Sequence, residues 1–315
     1  MKKPLFFLLL FCVPGAGLFA QDTAGGSNSN NSQSPNDQNR IKVRVELVNV
    51  LTTVTDKKDR LVTDLTKDDF RIFEDGKPQD IRFFSRETDL PLRIGILVDA
   101  SNSIRARLHF EQDAAIDFLN IAVRPGKDLA FVTAFDLEPQ LVQDYTDDIE
   151  KLSNAIQGLQ AGGVTSLFDA VYSSCKEKML FFPPPEPYLR RVMIIISDGE
   201  DNQSVHTREE ALAMAQRGEV TVFTISTNRT GSEGRGDNVL RRLAKETGGR
   251  AFFPFEAGDL AANFQEIARE LRSQYSLAYV STNAAHDGTF RNITIQPVDK
   301  NLSVRAKNGY FALPQ

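Results

Sequence analysis

Four short apolar runs constrain this chain more than any other feature: Leu92–Val98, Leu129–Phe135, Val192–Ser197 and Val220–Ile225. Each has the length of a strand, is rich in Val, Ile, Leu and Phe, and leaves almost no polar face. That is the pattern of a strand buried on both sides. The segments between them carry helical periodicity, from Ile104 to about Val123, Asp148 to Leu159, Thr165 to Leu180 and Thr207 to about Gly218. Thr207-Arg-Glu-Glu210 opens the last of these as a capping box. A short strand is expected near Gln140–Val142, a helix at Val239–Thr247 stopped by Gly248-Gly249, a strand at Arg250–Phe253 and a closing helix at Leu260–Arg272. Strands alternating with helices predict an α/β fold with a doubly wound, mainly parallel sheet.

The flanks read differently. Ile41–Leu47 alternates apolar and charged residues, and Val48, Val50, Thr52 and Val54 continue a period of two. Thr66–Phe70 reads as a brief helical turn capped by Thr66. Arg71–Phe73 and Asp80–Phe84 flank an Asp75-Gly76 step, which predicts a hairpin. After the closing helix, Tyr275–Val280, Thr289–Gln296, Leu302–Ala306 and Tyr310–Leu313 read as strands, with turns at Asp287-Gly288 and Asn308-Gly309. Neither β piece has enough strands to stand alone. The two are expected to pair in one small β-sandwich, with the α/β unit inserted between them.

Lys2 and Lys3, the apolar core Leu5–Val13 and the small residues within Pro14–Ala20 predict an export signal cut after Ala20. The core is far shorter than the ~20 apolar residues a bilayer span needs, and no later run is long and apolar enough. Phe11 before Cys12 argues against a lipoprotein. Only Cys175 would then remain, so no internal disulfide is possible and the thiol is expected to be a small buried hydrophobe. An exported chain without a disulfide points to a bacterial envelope, whether periplasm, cell surface or secreted space. Gln21–Arg40 is rich in Ser, Asn, Gln and Gly and is expected to be a disordered linker. The expected divisions are residues 1–20, 21–40, 41–90, 91–273 and 274–315. A net charge of −5 of mixed sign gives no basic stripe for nucleic acid.

Asp99-Ala100-Ser101-Asn102-Ser103 follows directly on Leu92–Val98. Its carboxylate and hydroxyls are hard oxygen ligands of the kind a divalent cation prefers, at the C-terminal mouth of a parallel strand, where open α/β sheets place ligands. Alone it also fits a turn and a helix N-cap. Two further segments bring the same chemistry: Gly162-Gly-Val-Thr165 before a helix, and Ser197-Asp198-Gly199 at the end of another buried strand.

Together these segments resemble the von Willebrand factor A (VWA) domain family over about Pro91 to Ser273. The metal-ion-dependent adhesion site (MIDAS) of that family joins an Asp-x-Ser-x-Ser loop to a separate Thr and a separate Asp. The resemblance implies Asp99, Ser101, Ser103, Thr165 and Asp198 as the metal site, with Val164 an extra residue before the Thr. It implies Mg2+, or Mn2+, ahead of Ca2+, with the serine hydroxyls binding directly and a carboxylate from a protein partner completing the shell. Asn102, Asp136–Tyr145, Glu200–Gln203 and Asn228–Asp237 are the candidate discriminating loops. Asp169, Glu200 and Asp201 stay outside the ligand set; Asp169 reads equally as an orienting group or as a charge in the first turn of a helix. With Leu65–Gly76 and Asn308–Phe311, nearly the whole mature chain is similar to exported bacterial VWFA-related proteins, described mainly from Acidobacteria.

Catalysis finds less support. A haloacid-dehalogenase-like phosphatase needs a second carboxylate two residues after the first, and Ser101 stands there. His109, His206 and His286 are scattered, and there is no Gly-x-Ser-x-Gly elbow or Walker loop. The expectation is a non-enzymatic, metal-dependent interaction or adhesion protein. A structural envelope scaffold with weak or no metal dependence is the alternative, with a metal-dependent hydrolase behind it.

Overall fold

The first described strand, β1 (Leu47–Thr55), shows the expected alternation, with Val48, Val50 and Val54 buried. A computed structural model describes residues 47–87, 89–180, 189–228, 234–254, 257–312 and 314, all within the unit Val45–Gln315. The export segment with Cys12, the linker and the start of the strand expected at Ile41 lie outside the described residues, as do residues 229–233 of one candidate loop.

After β1, a capped turn at Lys67–Asp69 leads into β2 (Phe70–Glu74), which pairs with β3 (Lys77–Gln79). Asp75 and Gly76 both take positive φ, 46° and 77°, which sets the hairpin twist. The second arm of this hairpin differs from expectation. It is the short β3, whereas β4 (Ile81–Glu87) crosses to the other sheet and pairs with β11 (Gln274–Val280). Ile81 therefore joins the sandwich core rather than extending the hairpin.

The central unit begins with β5 (Leu92–Asp99) and a 3-10 turn at Asn102–Ile104 before α1 (Leu108–Ala122). The sequence places this helix start four residues earlier. The hydrogen bonds made by Asn102 and Arg105 to the neighbouring Ala161–Gly163 loop hold the intervening residues out of the helix. β6 (Leu129–Phe135), β7 (Pro139–Thr146), α2 (Ile149–Gln157) and α3 (Leu167–Ser173) follow, and α3 widens into a π-helical segment over Ser174–Leu180. Then come β8 (Arg190–Ser197), α4 (Arg208–Arg217), β9 (Val220–Ser226), α5 (Arg235–Glu246), β10 (Ala251–Phe252) and α6 (Ala257–Glu270). The order across the sheet is β10-β9-β8-β5-β6-β7, parallel except for the edge pair β6–β7.

Both faces of this sheet are covered, which explains the runs without a polar face. Ile94, Ile96 and Val98 of β5 pack toward α1 and α6, whereas Leu97 faces the α3–α5 side. Gly95 lies between neighbouring strands where a Cβ would come within 2.5 Å of the Phe131 ring. Asp128 closes the strand end remote from the mouth. It accepts hydrogen bonds from the Leu92 N–H at 2.8 Å and from Arg124 Nε and Arg272 Nη2 at 2.8 and 2.7 Å.

β12 (Phe290–Pro297), β13 (Ser303–Ala306) and β14 (Gly309–Phe311) complete two antiparallel sheets, ordered β13-β1-β11-β4 and β14-β12-β2-β3. Each sheet mixes strands from before and after the central unit. Val50, Phe70, Tyr275, Leu277 and Tyr279 fill the space between them. The α/β unit is thus inserted in a small β-sandwich. Glu270, at the end of α6, accepts from Thr53 Oγ1 at 2.9 Å and pairs with Arg305 at 2.9 Å, joining the two parts.

Candidate metal centre

The mouth of the central sheet is built by three chain segments. β5 ends at Asp99, whose side chain is fully buried. Its Oδ1 accepts the Ser101 N–H at 2.9 Å and its Oδ2 accepts the Ser197 hydroxyl at 2.7 Å. The Ser101 and Ser103 hydroxyls stand 2.8 Å apart, brought to one side by the 3-10 turn. Burial pushes the Asp99 carboxyl up to about 6, against hydrogen bonds from Ser197 and Ser101, and the nearby Asp198 charge adds to the rise. Among the described residues no basic side chain bonds to Asp99.

The second segment is Gly162–Thr165. Gly162 N–H donates to the Ala100 carbonyl at 2.7 Å, and Asn102 donates from its backbone N–H and side chain to the Gly163 carbonyl. Gly163 takes φ +76°, and a Cβ there would crowd Asp136 at 3.2 Å. Thr165 is buried. It is fixed reciprocally: its N–H donates to Asn202 Oδ1 at 3.1 Å, and its carbonyl accepts the Asn202 and Gln203 N–H groups at 3.1 Å. The extra Val164 is taken up on the surface, 38% exposed.

The third segment follows β8. Ser197 turns the chain by accepting the Gly199 N–H at 3.0 Å, and Asp198 accepts the Glu200 N–H at 3.1 Å while remaining half-buried. Gly199 takes φ +78°, and a Cβ there would lie 2.2 Å from the Gly236 carbonyl; a Cβ on Gly236 would lie 2.1 Å from the Asp198 carbonyl. The first turn of α5 thus presses on the loop that carries Asp198.

The structure brings Asp99, Ser101 and Ser103 into one hydrogen-bonded group, with Asp198 near enough to raise the Asp99 pKa. Thr165 lies on a loop bonded to the same strand mouth. Asp169 and Asp201 play a different part. Burial works to raise the Asp169 pKa, but the His206 and Val205 N–H groups and the His206 ring hold it below the usual carboxylate range. Asp201 Oδ2 accepts from the Phe168 N–H and Ser204 Oγ. Both carboxylates staple the 201–206 loop to α3. The sequence places Ser197 at the end of a buried strand and Asn202 within the candidate loop Glu200–Gln203, but gives neither a role of its own.

The donors suit a hard cation. The group is made of hydroxyls and carboxylates, one of them a fully buried acid to which no basic side chain bonds among the described residues, and a divalent ion would compensate its charge. Among the described residues no cluster of three or more His, Cys, Asp or Glu could hold a metal, so a soft, thiolate- or imidazole-type centre is not what these residues build.

The doubly wound sheet ends in a mouth of hydroxyls and carboxylates. Residues 94–200 match the sequence model of the von Willebrand factor type A domain. A von Willebrand factor type A protein from Catenulispora acidiphila shares the fold, at 13% identity and a TM-score of 0.50 over 86% of this chain and 64% of that one. Proximal thread matrix protein 1 from the mussel byssus, solved with a zinc-occupied MIDAS motif, gives 17% identity and a TM-score of 0.49 over 63% and 49%. BatB from Bacteroides thetaiotaomicron gives 18% and 0.46 over 58% and 100%. The chain therefore spans less than two thirds of the Catenulispora and mussel proteins. No curated protein matches it.

Proposed function

We propose that this protein is an exported interaction module that recognises a protein partner through a metal held by Asp99, Ser101, Ser103, Thr165 and Asp198. The observation that carries this reading is the burial of the Asp99 carboxylate beside the paired Ser101 and Ser103 hydroxyls, with no basic side chain bonded to it among the described residues. In this arrangement Ser101 and Ser103 supply direct oxygen ligands. Asp99, with both oxygens already accepting hydrogen bonds, balances charge and orients Ser101, while Asp198 and Thr165 close the remaining sides. Mg2+, or Mn2+, suits such a set and keeps exchangeable waters, so a partner's Asp or Glu can enter the shell. The metal would supply a fixed positive charge for that carboxylate to bind.

Recognition beyond the carboxylate falls to the loops around the mouth. Val205 is 88% exposed on the loop stapled by Asp169, and Leu137 is 55% exposed beside Asp136. Such solvated apolar side chains next to a charge site favour a protein ligand over a small hydrated anion. Among the described residues no helix is long and apolar enough to cross a membrane. Export through residues 1–20 and an envelope location belong to this proposal.

Calorimetric titration of the chain with Mg2+ and Mn2+ tests it. Wild type is expected to release or take up heat and to gain melting temperature, and Asp99→Ala and Ser101→Ala to do neither. Silence in wild type refutes the metal site. A partner captured equally with metal and with EDTA assigns the protein to a structural scaffold instead.

A further inference from the structure

A cleft of about 190 Å³ lies between the edge pair β6–β7 and the helical stretch formed by α3 and its π-helical continuation. It is too small for a drug-sized ligand and suits a group the size of one side chain. Thr133 and Ser174 in its wall are each 4% exposed, yet among the described residues no hydrogen bond reaches either hydroxyl. Buried polar groups as a rule have a partner, so two unpartnered hydroxyls lining one cleft point to a ligand. The charges of the wall say which kind. Asp169 already accepts from the His206 ring at 2.6 Å and from two backbone N–H groups, and Lys178 is paired with Asp144 at 2.8 Å. Glu177 lines the same cleft with no donor or cation bonded to its carboxylate among the described residues. Pro139 and Leu141 supply an apolar side, and Leu141 is 45% exposed. Ser174 and Glu177 both stand on the π-helical segment, a kind of widening frequent at functional sites.

We infer that this cleft binds a primary alkylammonium group, its nitrogen held by the Glu177 carboxylate and the Thr133 and Ser174 hydroxyls and its carbon chain laid against Pro139 and Leu141. An ammonium has three N–H donors and no acceptor, which matches one carboxylate and two hydroxyl oxygens. An anion would meet the unpartnered Glu177 charge, and a neutral alcohol would leave that charge unpaired. The chain removes exposed apolar surface of Leu141 from water, which a bare ammonium ion would not do. A lysine side chain and a free amine share this chemistry. None of the five proposed metal ligands lines the cleft.

NMR titration of the full chain in EDTA tests the assignment with butylammonium and three controls: butanol with the same chain but no charge, butyrate with the opposite charge, and ammonium ion with no chain. Butylammonium is expected to bind about fivefold or more tighter than each control. Nα-acetyl-lysine methylamide, bound as tightly as butylammonium, identifies a protein's lysine as the source; butylammonium bound alone identifies a free amine. Glu177→Gln is expected to remove the preference over butanol, and Thr133→Val combined with Ser174→Ala to weaken butylammonium binding about fivefold or more. Neither change is expected to lower the melting temperature, because no hydrogen bond within the chain is lost. Equal affinity for any of the three controls overturns the site, as does either variant that binds butylammonium as tightly as wild type, or no binding by any probe.

Discussion

Ser197 Oγ donates a 2.7 Å hydrogen bond to Asp99 Oδ2, so the last residues of the adjacent parallel strands β8 and β5 hold one carboxylate between them. Ser197 also accepts the Gly199 N–H, which shapes the turn that presents Asp198. One hydroxyl therefore positions two of the proposed metal-site carboxylates without itself being a ligand. Ser197→Ala is expected to weaken metal binding by roughly tenfold, the usual range for an outer partner. Calorimetry reads this directly, and an unchanged Kd would remove Ser197 from the account.

The Asp99 carboxyl itself gives the opposite signature in the absence of metal. Burial holds it near 6 against an ordinary 3.8, so the folded state keeps its proton to a higher pH than the unfolded state. Metal-free stability accordingly falls as the pH rises from about 4 through 6, by roughly 3 kcal/mol. Asp99→Asn removes the buried charge and is expected to raise the melting temperature in EDTA at pH 8 by a few degrees, while abolishing the gain from Mg2+. A lower melting temperature for the variant in EDTA would show that the carboxylate is stabilising as it stands.

Much of this was legible in the chain because burial on both faces leaves no polar alternation. Leu129–Phe135 reads directly as β6, and Leu92–Val98 and Val192–Ser197 differ from β5 and β8 only at their ends. The sandwich was legible as two incomplete β pieces, but not the crossing of β4 to a different sheet from β3. That crossing depends on pairing with β11, some 190 residues away, which no local pattern encodes. Asp99, Ser101 and Ser103 were visible because they share one loop. The seat of Thr165 was not, since it is fixed by Asn202 from another loop through backbone hydrogen bonds. Helix starts were the weakest point: α5 begins at Arg235, before the first apolar residue that marks its period.

Gly236 in that early turn matters because it touches the Asp198–Gly199 backbone. A methyl group there would meet the Asp198 carbonyl at 2.1 Å, and rigid backbone on both sides leaves little room to yield. Gly236→Ala is expected to shift the Asp198 loop and destabilise the fold by about 1–3 kcal/mol, despite the better helix propensity of alanine. Urea unfolding gives the stability and metal titration the loop. A gain in stability, as propensity alone would give, would contradict the close contact.

Asp128 offers a control at the far end of β5, remote from any metal. Burial would raise its pKa, but hydrogen bonds from Arg124, the Leu92 N–H and Arg272 outweigh burial and hold it below the ordinary carboxylate value. Because the folded pKa is depressed, its stabilisation is complete above the unfolded value near 3.8 and is lost as the pH falls through the folded one. Asp128→Asn is expected to cost about 2–4 kcal/mol at pH 7, short of a fully buried pair because Arg124 and Arg272 are 32% and 25% exposed. The difference from wild type should shrink at acid pH, below the ordinary carboxylate value, as the native carboxyl protonates. Urea unfolding at neutral and at acid pH measures this, and a difference that stays constant would mean that packing, not charge, holds this end of the strand.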